Sequence, residues 1–297
     1  MDVVVVGSVH RDLVLEVPHH PSEGETILAT AASSVGGGKG ANQAVAAARL
    51  GAAVSLVGRV GSDPDGDLVR EDLARDGIDL QHLHVDPEAP TGIAVVTVDG
   101  GGQNRVIVAP GASGRLAVAD IRGATGLIGS ARVVALQQEV SSEVNLEAAR
   151  AARGLVQLDP APVRPVPPEM LQFVGVLIPN EVELQQLVPD EGSNVERAAR
   201  LRESLGRSPR AVIVTLGSRG ALLIDDRGSH QVPAPRVTVV DTTGAGDAFR
   251  GAIARELARG TVVSTAVEFA VRAGAAAASR LGAQPSMHRA DELAALG

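Results

Sequence analysis

Short apolar runs separated by amphipathic segments recur along this 297-residue chain and limit the folds that it can adopt. The apolar runs are Val3–Val6, Val54–Val57, Arg132–Leu136, Leu155–Leu158, Val174–Ile178 and Ala211–Leu216. The segments with helical periodicity between them are Gly40–Leu50, Asp65–Asp76, Glu143–Arg153 and Val195–Leu205. Continuous apolar runs are typical of strands buried on both faces. Their alternation with helices therefore predicts an α/β protein with a mostly parallel central sheet and helices on both faces.

Two stretches interrupt this alternation, and each is typical of an antiparallel strand pair. The first stretch contains Leu13–Val17, a loop rich in Pro, His and Gly, and then Thr26–Ala29. The second stretch contains Ile93–Val98, the turn Asp99–Gly102, and Arg105–Ala109. They predict a small second sheet beside the main one. The chain then ends in Ala-rich helices over Val262–Ser279 and Ala290–Leu296, and no repeat or long linker divides it, so we expect one domain over residues 1–297.

A Gly-rich turn, Asp241-Thr242-Thr243-Gly244-Ala245-Gly246-Asp247, carries the strongest functional signal. It joins the extended run Val237–Val240, predicted as a strand, to the amphipathic segment Ala248–Ala258. The glycines allow a tight turn with free N–H groups, and these groups, with the positive end of the helix dipole, favour an anion such as phosphate. The acid at the end of the turn could accept a proton from a hydroxyl that attacks the phosphate. An ordinary acidic helix cap is the alternative.

A second Gly-rich element, Gly36–Gln43, opens the helix that runs to Leu50. A dinucleotide-binding motif should directly follow the first strand, but that strand ends at Val6, far upstream. A Walker loop would need Ser or Thr after Lys39, where this chain has Gly. What remains is a backbone that closely approaches a ligand, with a substrate hydroxyl as the natural choice, or a simple tight turn.

Composition excludes several classes of function. Three Phe and no Tyr or Trp leave almost no aromatic platform for stacking bases. A net charge of −8 argues against nucleic acid or an anionic membrane as a partner. The absence of Cys excludes disulfides, thiolate nucleophiles and Cys-ligated zinc. The first residues lack a basic signal-peptide region, and no run approaches the roughly 18 apolar residues of a membrane span, so we expect a cytoplasmic protein.

Two segments, Gly37–Ala44 and Asp241–Asp247, resemble the signatures of the ribokinase-like carbohydrate kinases. Further matches follow in the expected order along essentially the whole chain: Gly7-Ser8 with Asp12, Pro179–Glu183, Thr215–Gly220 and Gly282–Ser286. The resemblance implies a ribokinase-like fold and phosphorylation of the primary hydroxyl of a sugar by ATP, with D-ribose as the leading substrate. Another sugar, a nucleoside or a sugar acid is the alternative within the family. A sugar sensor without turnover and an NAD(P)-dependent enzyme are the alternatives outside it.

The resemblance also implies a role for each residue that matches a family motif. Asp247 would be the general base that deprotonates the sugar hydroxyl, and it would contact the sugar itself. The transferring phosphate would be bound by the backbone N–H groups of Gly244, Ala245 and Gly246. The sugar hydroxyls would be held by Asp12, Gly38, Lys39, Asn42 and Glu139.

ATP, Mg²⁺ and an activating K⁺ are the cofactors that the resemblance implies. Asn180 and Glu183 share one face of a helix start and would organise Mg²⁺ and the phosphates, although Glu183 could be an ordinary exposed carboxylate. The nucleotide would be lined by Thr215, Gly217 and Gly220. K⁺ would be held by Asp241, Thr243, Ala277, Arg280, Gly282 and Ser286. The alternative is that the segment from Arg280 to Ser286 is merely a connector into the last helix. The strand pairs, about residues 12–35 and 91–109, would form a lid over the sugar and the contact of a homodimer.

Two positions depart from the family pattern. Members usually have Asn-x-Asp where this chain has His10-Arg11-Asp12, and Asn where it has Arg250. Arg250 lies three residues beyond Asp247 and so shares its helix face. Either Arg250 pairs with a nearby carboxylate and His10 keeps an equivalent hydrogen bond, or the pocket takes a larger or anionic substrate.

Overall fold

The computed structural model describes residues 1–101 and 103–295. Its strands, in chain order, are β1 Val3–Val6, β2 His10–Glu16, β3 Ala31–Gly37, β4 Val54–Gly61, β5 Leu83–Asp86, β6 Gly92–Val98, β7 Asn104–Ala109, β8 Val133–Gln137, β9 Leu155–Asp159, β10 Val174–Leu177, β11 Ala211–Thr215, β12 Ala221–Asp225 and β13 Gly228–Val232. Its α-helices are α1 Lys39–Arg49, α2 Pro64–Arg75, α3 Val118–Gly123, α4 Thr125–Ser130, α5 Ser142–Ala151, α6 Pro168–Leu171, α7 Glu181–Leu187, α8 Asn194–Glu203, α9 Ala245–Ala258, α10 Val263–Ala277, α11 Ala283–Ser286 and α12 Ala290–Ala295, and single 3₁₀ turns lie at Gly111–Arg115 and Gly217–Arg219. Gly102 of the predicted turn and Leu296 of the predicted last helix lie outside the described residues.

The main sheet has nine strands in the order β13-β12-β11-β10-β9-β8-β1-β4-β5. All neighbours from β11 to β5 run parallel, while β12 and β13 add antiparallel strands at one edge. Val4 and Val6 pack in the same core cluster as α3, α4 and α5, whereas Val3 and Val5 pack with α1 and α2. Burial on both faces explains the continuous valine run, and the predicted α/β fold is confirmed.

The small sheet has the order β3-β2-β6-β7. The strands of each predicted pair are antiparallel, and β2 joins the two pairs by running parallel to β6. The prediction of a strand at Thr26–Ala29 is wrong, since this segment is coil and Leu28 is 86% exposed. The returning strand is instead Ala31–Gly37, which pairs along the whole length of β2 and leads directly into α1.

The prediction of a strand at Val237–Val240 is also wrong, because this run joins neither sheet. Val239 and Val240 are exposed, and the N–H of Val240 donates to the carbonyl of Ala278 at the end of α10 at 2.9 Å. β-branched residues favour extended backbone, but a strand also needs a neighbouring strand to pair with.

In the described part of the chain, no helix is long and apolar enough to cross a membrane. The cytoplasmic location stays a prediction.

Candidate active site

The N-terminal turns of α1 and α9 meet at the edge where the parallel strands of the main sheet end. A β-carbon added at Gly251 would lie 2.7 Å from the carbonyl oxygen of Gln43, so only glycine allows the two helices to pack this closely. The close packing places two amides of α1 against the carboxylate of Asp247. Asn42 Nδ2 donates to Oδ2 at 3.0 Å, and Gln43 Nε2 donates to Oδ1 at 3.3 Å.

Asp247 lies in the first turn of α9 and is buried. Burial raises the pKa of its carboxyl, the positive charge of Lys39 opposes that rise, and the negative charge of Asp159 adds to it. Lys39 Nζ lies 3.8 Å from Asp247 Oδ1. The carboxylate is thus held by donors while its basicity is raised, which suits a group that accepts a proton from a hydroxyl.

The turn before α9 leaves backbone donors free. Gly244 has φ +76°, and a β-carbon there would lie 2.7 Å from the Cα of Ala283, so both the conformation and the space require glycine. The N–H of Ala245 donates to the carbonyl of Thr242 at 3.2 Å. Across residues 1–101 and 103–295, the N–H groups of Gly244, Gly246 and Asp247 have no acceptor. Three amides at the positive end of a helix dipole can bind an anion.

The residues predicted to hold the sugar surround the same carboxylate. Glu139 accepts hydrogen bonds from the N–H of Lys39 at 3.0 Å and from the hydroxyl of Ser8. Gly38 has φ +88°, and a β-carbon there would lie 2.9 Å from backbone atoms of Ser8 and His10. The loop therefore needs glycine to begin α1 so close to the end of β1.

Asp12 reaches this site from β2 of the small sheet. Burial, followed by the negative charges of Glu139 and Asp247, raises its pKa to about 7. Asp12 Oδ1 and Asn42 Oδ1 are buried acceptors that no described residue satisfies with a donor. Unpartnered buried acceptors are costly, and a ligand with several hydroxyl groups could satisfy both.

Sequence reasoning missed Asp159, the fully buried last residue of β9. Its Oδ2 accepts from Lys39 Nζ at 3.2 Å and from Gln43 Nε2 at 3.0 Å, while Oδ1 lies 3.1 Å from Arg250 Nη2. The signal available in the sequence was a single acid at the carboxyl end of an apolar run, followed by proline. Such positions line the ligand crevice in open parallel sheets.

Asn180 and Glu183 form the start of α7. The side chain of Asn180 accepts from the N–H of Glu183 at 2.8 Å, and Glu183 Oε2 accepts from the N–H of Asn180 at 2.7 Å. Burial raises the pKa of Glu183, and the charge of Arg250 opposes the rise. The pair therefore caps the helix and also presents a half-buried carboxylate at the strand ends.

The predicted nucleotide residues follow on the next strand. Thr215 ends β11, and its N–H donates to the carbonyl of Pro179 at 2.9 Å, which places it beside Asn180. Gly217 and Gly220 have φ +58° and +89° and form the turn into β12. A β-carbon at Gly217 would meet no atom of the described residues within 4 Å, so this side of the turn is open to them.

The predicted K⁺ residues are partly brought together. Asp241 accepts from the N–H of Thr243 at 2.9 Å and from the N–H of Gly282 at 2.8 Å, which ties the Gly-rich turn to the segment after α10. The carbonyl of Ala277 accepts from the N–H of Arg280 at 3.1 Å, and the hydroxyl of Ser286 donates to Ala283 in the short helix α11. Among the described residues, no group of three or more His, Cys, Asp or Glu side chains could hold a metal ion.

The two departures from the family pattern are both buried. Arg250 Nη2 donates to the carbonyl of Ile178 at 2.8 Å and lies 3.4 Å from Glu183 Oε2, in addition to its pairing with Asp159. The interpretation that Arg250 pairs with carboxylates is therefore confirmed. His10 is 1% exposed, no described residue pairs with its Nε2, and burial lowers its pKa.

Comparisons with known proteins agree with this geometry. The model of the pfkB family of carbohydrate kinases matches residues 1–290. The chain is 35% identical to a ribokinase of Lactococcus lactis, over 99% of this chain and 96% of that protein. It is 36% identical to the solved structure of ribokinase from Thermotoga maritima, with a TM-score of 0.91, covering 99% and 98% of the two chains. An Arabidopsis thaliana ribokinase solved with ribose and ATP is 33% identical, with a TM-score of 0.87, covering 99% and 98%.

Proposed function

The chain belongs to the pfkB family of carbohydrate kinases, and from this premise we propose that it transfers the γ-phosphoryl group of ATP to the primary hydroxyl of D-ribose. The observation that carries the proposal is the position of Asp247. Its buried carboxylate lies in the first turn of α9, beside backbone N–H groups and buried acceptors that have no partner among the described residues. A base, an anion site and a polyhydroxyl site thus share one location. The proposal treats the whole chain as one kinase domain.

The reaction is an in-line displacement at the γ-phosphorus. Asp247 takes the proton of the primary hydroxyl as that oxygen forms its bond to phosphorus, and the bond from phosphorus to the bridging oxygen of ADP breaks. The free N–H groups of Gly244, Gly246 and Asp247 bind the transferred group, while the N–H of Ala245, which the sequence predicts to join them, is held by the carbonyl of Thr242. These donors are fixed by the helix and need no reorganisation, so they stabilise charge that develops in the transition state.

The sugar lies between the small sheet and α1 in this proposal. Asp12 and Asn42 accept from its hydroxyls through the oxygens to which no described residue donates. Lys39, Glu139 and the backbone at Gly38 complete the set. Because Lys39 and Glu139 are themselves held by hydrogen bonds within the site, the pocket is largely formed before the sugar binds.

Thr215, Gly217 and Gly220 line the nucleotide site in the proposal. Mg²⁺, when bound, neutralises charge on the phosphates. Glu183 with Asn180 fits this role, because Mg²⁺ usually takes one or two carboxylates and completes its shell with water and phosphate oxygens. That donor set agrees with a site that has no dedicated cage of side chains in the described residues.

We also propose that K⁺ binds at the segment after α10, with Asp241, Thr243, Ala277, Arg280, Gly282 and Ser286 contributing. Carbonyl, hydroxyl and carboxylate oxygens suit a hard cation. The hydrogen bonds of Asp241 to Thr243 and Gly282 support this location, since they join both halves of the set. A cation there stiffens the turn that presents the free N–H groups.

The small sheet acts as a lid in this proposal, and its outer face forms a homodimer. Asn104 Nδ2 of β7 donates to Thr243 Oγ1 at 3.1 Å, so the lid reaches the Gly-rich turn. On the other face, Leu13, Val95 and Ile107 lie in register across β2, β6 and β7. Leu13 is 37% and Ile107 73% exposed, and an exposed apolar row of this kind is typical of a protein interface.

The test is ADP release with a panel of ribose, fructose, nucleosides and sugar acids in the presence of Mg²⁺. We expect the largest kcat/KM with ribose. Release of ADP only with another member of the panel would identify that compound, and not ribose, as the substrate. Sugar binding without ADP release would favour the sensor, and a change in NADH absorbance with the same panel would favour a dehydrogenase.

A further inference from the structure

The guanidinium of Arg250 lies at the N-terminal end of α9, directly beside the free amides. Arg250 follows Gly246 by one helical turn, and side chains in a helix lean toward its N-terminus. A β-carbon added at Gly246 would lie 2.7 Å from Arg250 Nη1. The group is therefore adjacent to the backbone that is placed to bind the transferred phosphate.

Of the two terminal nitrogens, only Nη2 has a partner among the described residues. Nη2 donates to Ile178 and faces the carboxylates of Asp159 and Glu183. Nη1 donates no hydrogen bond to any residue in the described part of the chain, and Nε is also without a partner there. Arg250 is 3% exposed, and Nε, as a buried donor without a partner there, carries a desolvation cost.

The surroundings explain how a cation is tolerated at this place. The positive end of the dipole of α9 repels a guanidinium. The negative charges of Asp159 and Glu183, which face Nη2, compensate for this repulsion. They also fix the plane of the guanidinium, which leaves Nη1 on the side of Gly246. Both terminal nitrogens of a guanidinium carry N–H donors, so Nη2 can hold the carboxylates while Nη1 remains able to donate to a phosphate oxygen.

We propose that Arg250 Nη1 donates to the transferred γ-phosphoryl group and is a catalytic residue that the family pattern, which has Asn here, lacks. The proposal rests on the proposed function. The guanidinium forms no covalent bond; it stabilises the charge on the equatorial oxygens while the proton passes to Asp247. Arginines that act on this group in other phosphoryl-transfer enzymes contribute about 10³–10⁵-fold. The effect here should be smaller, because Asp159 and Glu183 already neutralise part of the charge.

The alternative is that Arg250 only neutralises Asp159, and a second background separates the two roles. Arg250→Asn is compared with the parent, and the same change is compared again in an Asp159→Asn background, where that carboxylate is gone. We expect Arg250→Asn to lower kcat with ribose at least about 10-fold in both backgrounds. A large effect in the parent that vanishes in the Asp159→Asn background would overturn the proposal.

Nucleotide binding without sugar gives a readout that a structural role would not move. The Kd values of Mg·ATP and Mg·ADP are measured by calorimetry, and a contact to the γ-phosphate predicts that Arg250→Asn lowers the ratio Kd(ADP)/Kd(ATP) by at least about 5-fold. Arg259→Asn removes the same charge from the exposed end of α9 and should leave this ratio and kcat unchanged. An unchanged ratio for Arg250→Asn contradicts the proposal.

Arg250→Lys covers the case in which Arg250→Asn does not fold. The lysine keeps a positive charge beside the buried carboxylates. Its single ammonium group, however, cannot bind the carboxylates and the phosphate in the geometry that the two terminal nitrogens of arginine allow. We expect it to fold and to lose most of the preference for ATP; full preference would overturn the proposal. A parent that binds both nucleotides but phosphorylates no sugar would refute the proposed function, while the binding ratios would still decide the role of Arg250.

Discussion

The side-chain amide of Asn42 donates to Asp247 Oδ2 at 3.0 Å and links the first turns of α1 and α9. The same amide has an oxygen, Oδ1, that is buried without a donor in the described residues. A sugar hydroxyl that donates to this oxygen would therefore be coupled to the orientation of the base. In the proposed function, one residue of α1 would thus connect substrate binding to proton transfer.

Asp247→Asn should abolish most of the activity while leaving the fold intact. The amide has the size of the carboxylate and can still accept from Asn42, but it cannot take up a proton. We expect kcat to fall by about 10²–10⁴-fold, with the Kd of Mg·ATP close to that of the parent. Asp65→Asn, in the first turn of α2, is the matched control and should have no effect. Turnover within a few-fold of the parent would remove Asp247 from the role of base.

The fold was predictable because the burial of a strand determines which residue types its sequence contains. Val3–Val6 must be apolar at every position since both faces of β1 are covered. Val237–Val240 has a similar composition, yet the structure leaves it outside both sheets, because pairing depends on which strands are near in space. Composition measures the tendency to be extended and not the presence of a partner.

Part of the site was predictable for a different reason. Asp247 and Asn42 lie in Gly-rich helix starts, whose backbone requirements leave a readable pattern. Asp159 has no such pattern, because its partners Lys39, Gln43 and Arg250 come from distant parts of the chain. The pairing of Arg250 with Asp159 and Glu183 likewise follows from strand order, which local sequence does not encode.

Asp12 should make the stability of the ligand-free protein depend on pH. Burial raises its pKa from 3.8 to about 7. Between these values the folded protein binds more protons than the unfolded chain, so the contribution of Asp12 to stability falls as pH rises through about 7. Asp12→Asn should therefore raise Tm more at pH 8 than at pH 5, and it should weaken ribose binding. An equal change in Tm at both pH values would contradict the raised pKa.

Gly244→Ala should reduce both stability and activity. The left-handed backbone conformation costs about 1–2 kcal/mol for alanine. In addition, the β-carbon of alanine would lie 2.7 Å from the Cα of Ala283. Gly260→Ala isolates the first effect, because Gly260 has φ +83° and a β-carbon there would meet no atom of the part of the chain that the structure describes within 4 Å. We expect a larger loss of Tm for Gly244→Ala and a loss of kcat only there. Equal losses would mean that Ala283 moves aside at little cost.

Ile107→Asp should prevent the proposed dimer. The side chain is 73% exposed on the outer face of β7, in register with Val95 and Leu13. A carboxylate buried in an apolar interface without a partner is unfavourable. Sedimentation should give a dimer for the parent and a monomer for the variant. Val262→Asp, at a site 55% exposed before α10, is the control that should remain dimeric. A monomeric parent would refute the interface.

Activation by K⁺ is expected because Asp241 ties the Gly-rich turn to the segment after α10 through the N–H groups of Thr243 and Gly282. A cation bound to the oxygens at this junction would fix the backbone from Thr243 to Gly246 and so hold the free amides in place for the phosphate. Replacing K⁺ by tetramethylammonium at constant ionic strength should lower kcat several-fold, because the methyl groups of that ion keep oxygen ligands away from its charge. Asp241→Ala should reduce this difference, since it removes a charged ligand from the proposed shell. Equal rates of the parent in the two buffers would refute the cation site while leaving the kinase reaction untouched, because neither the base nor the free amides require the ion to be present.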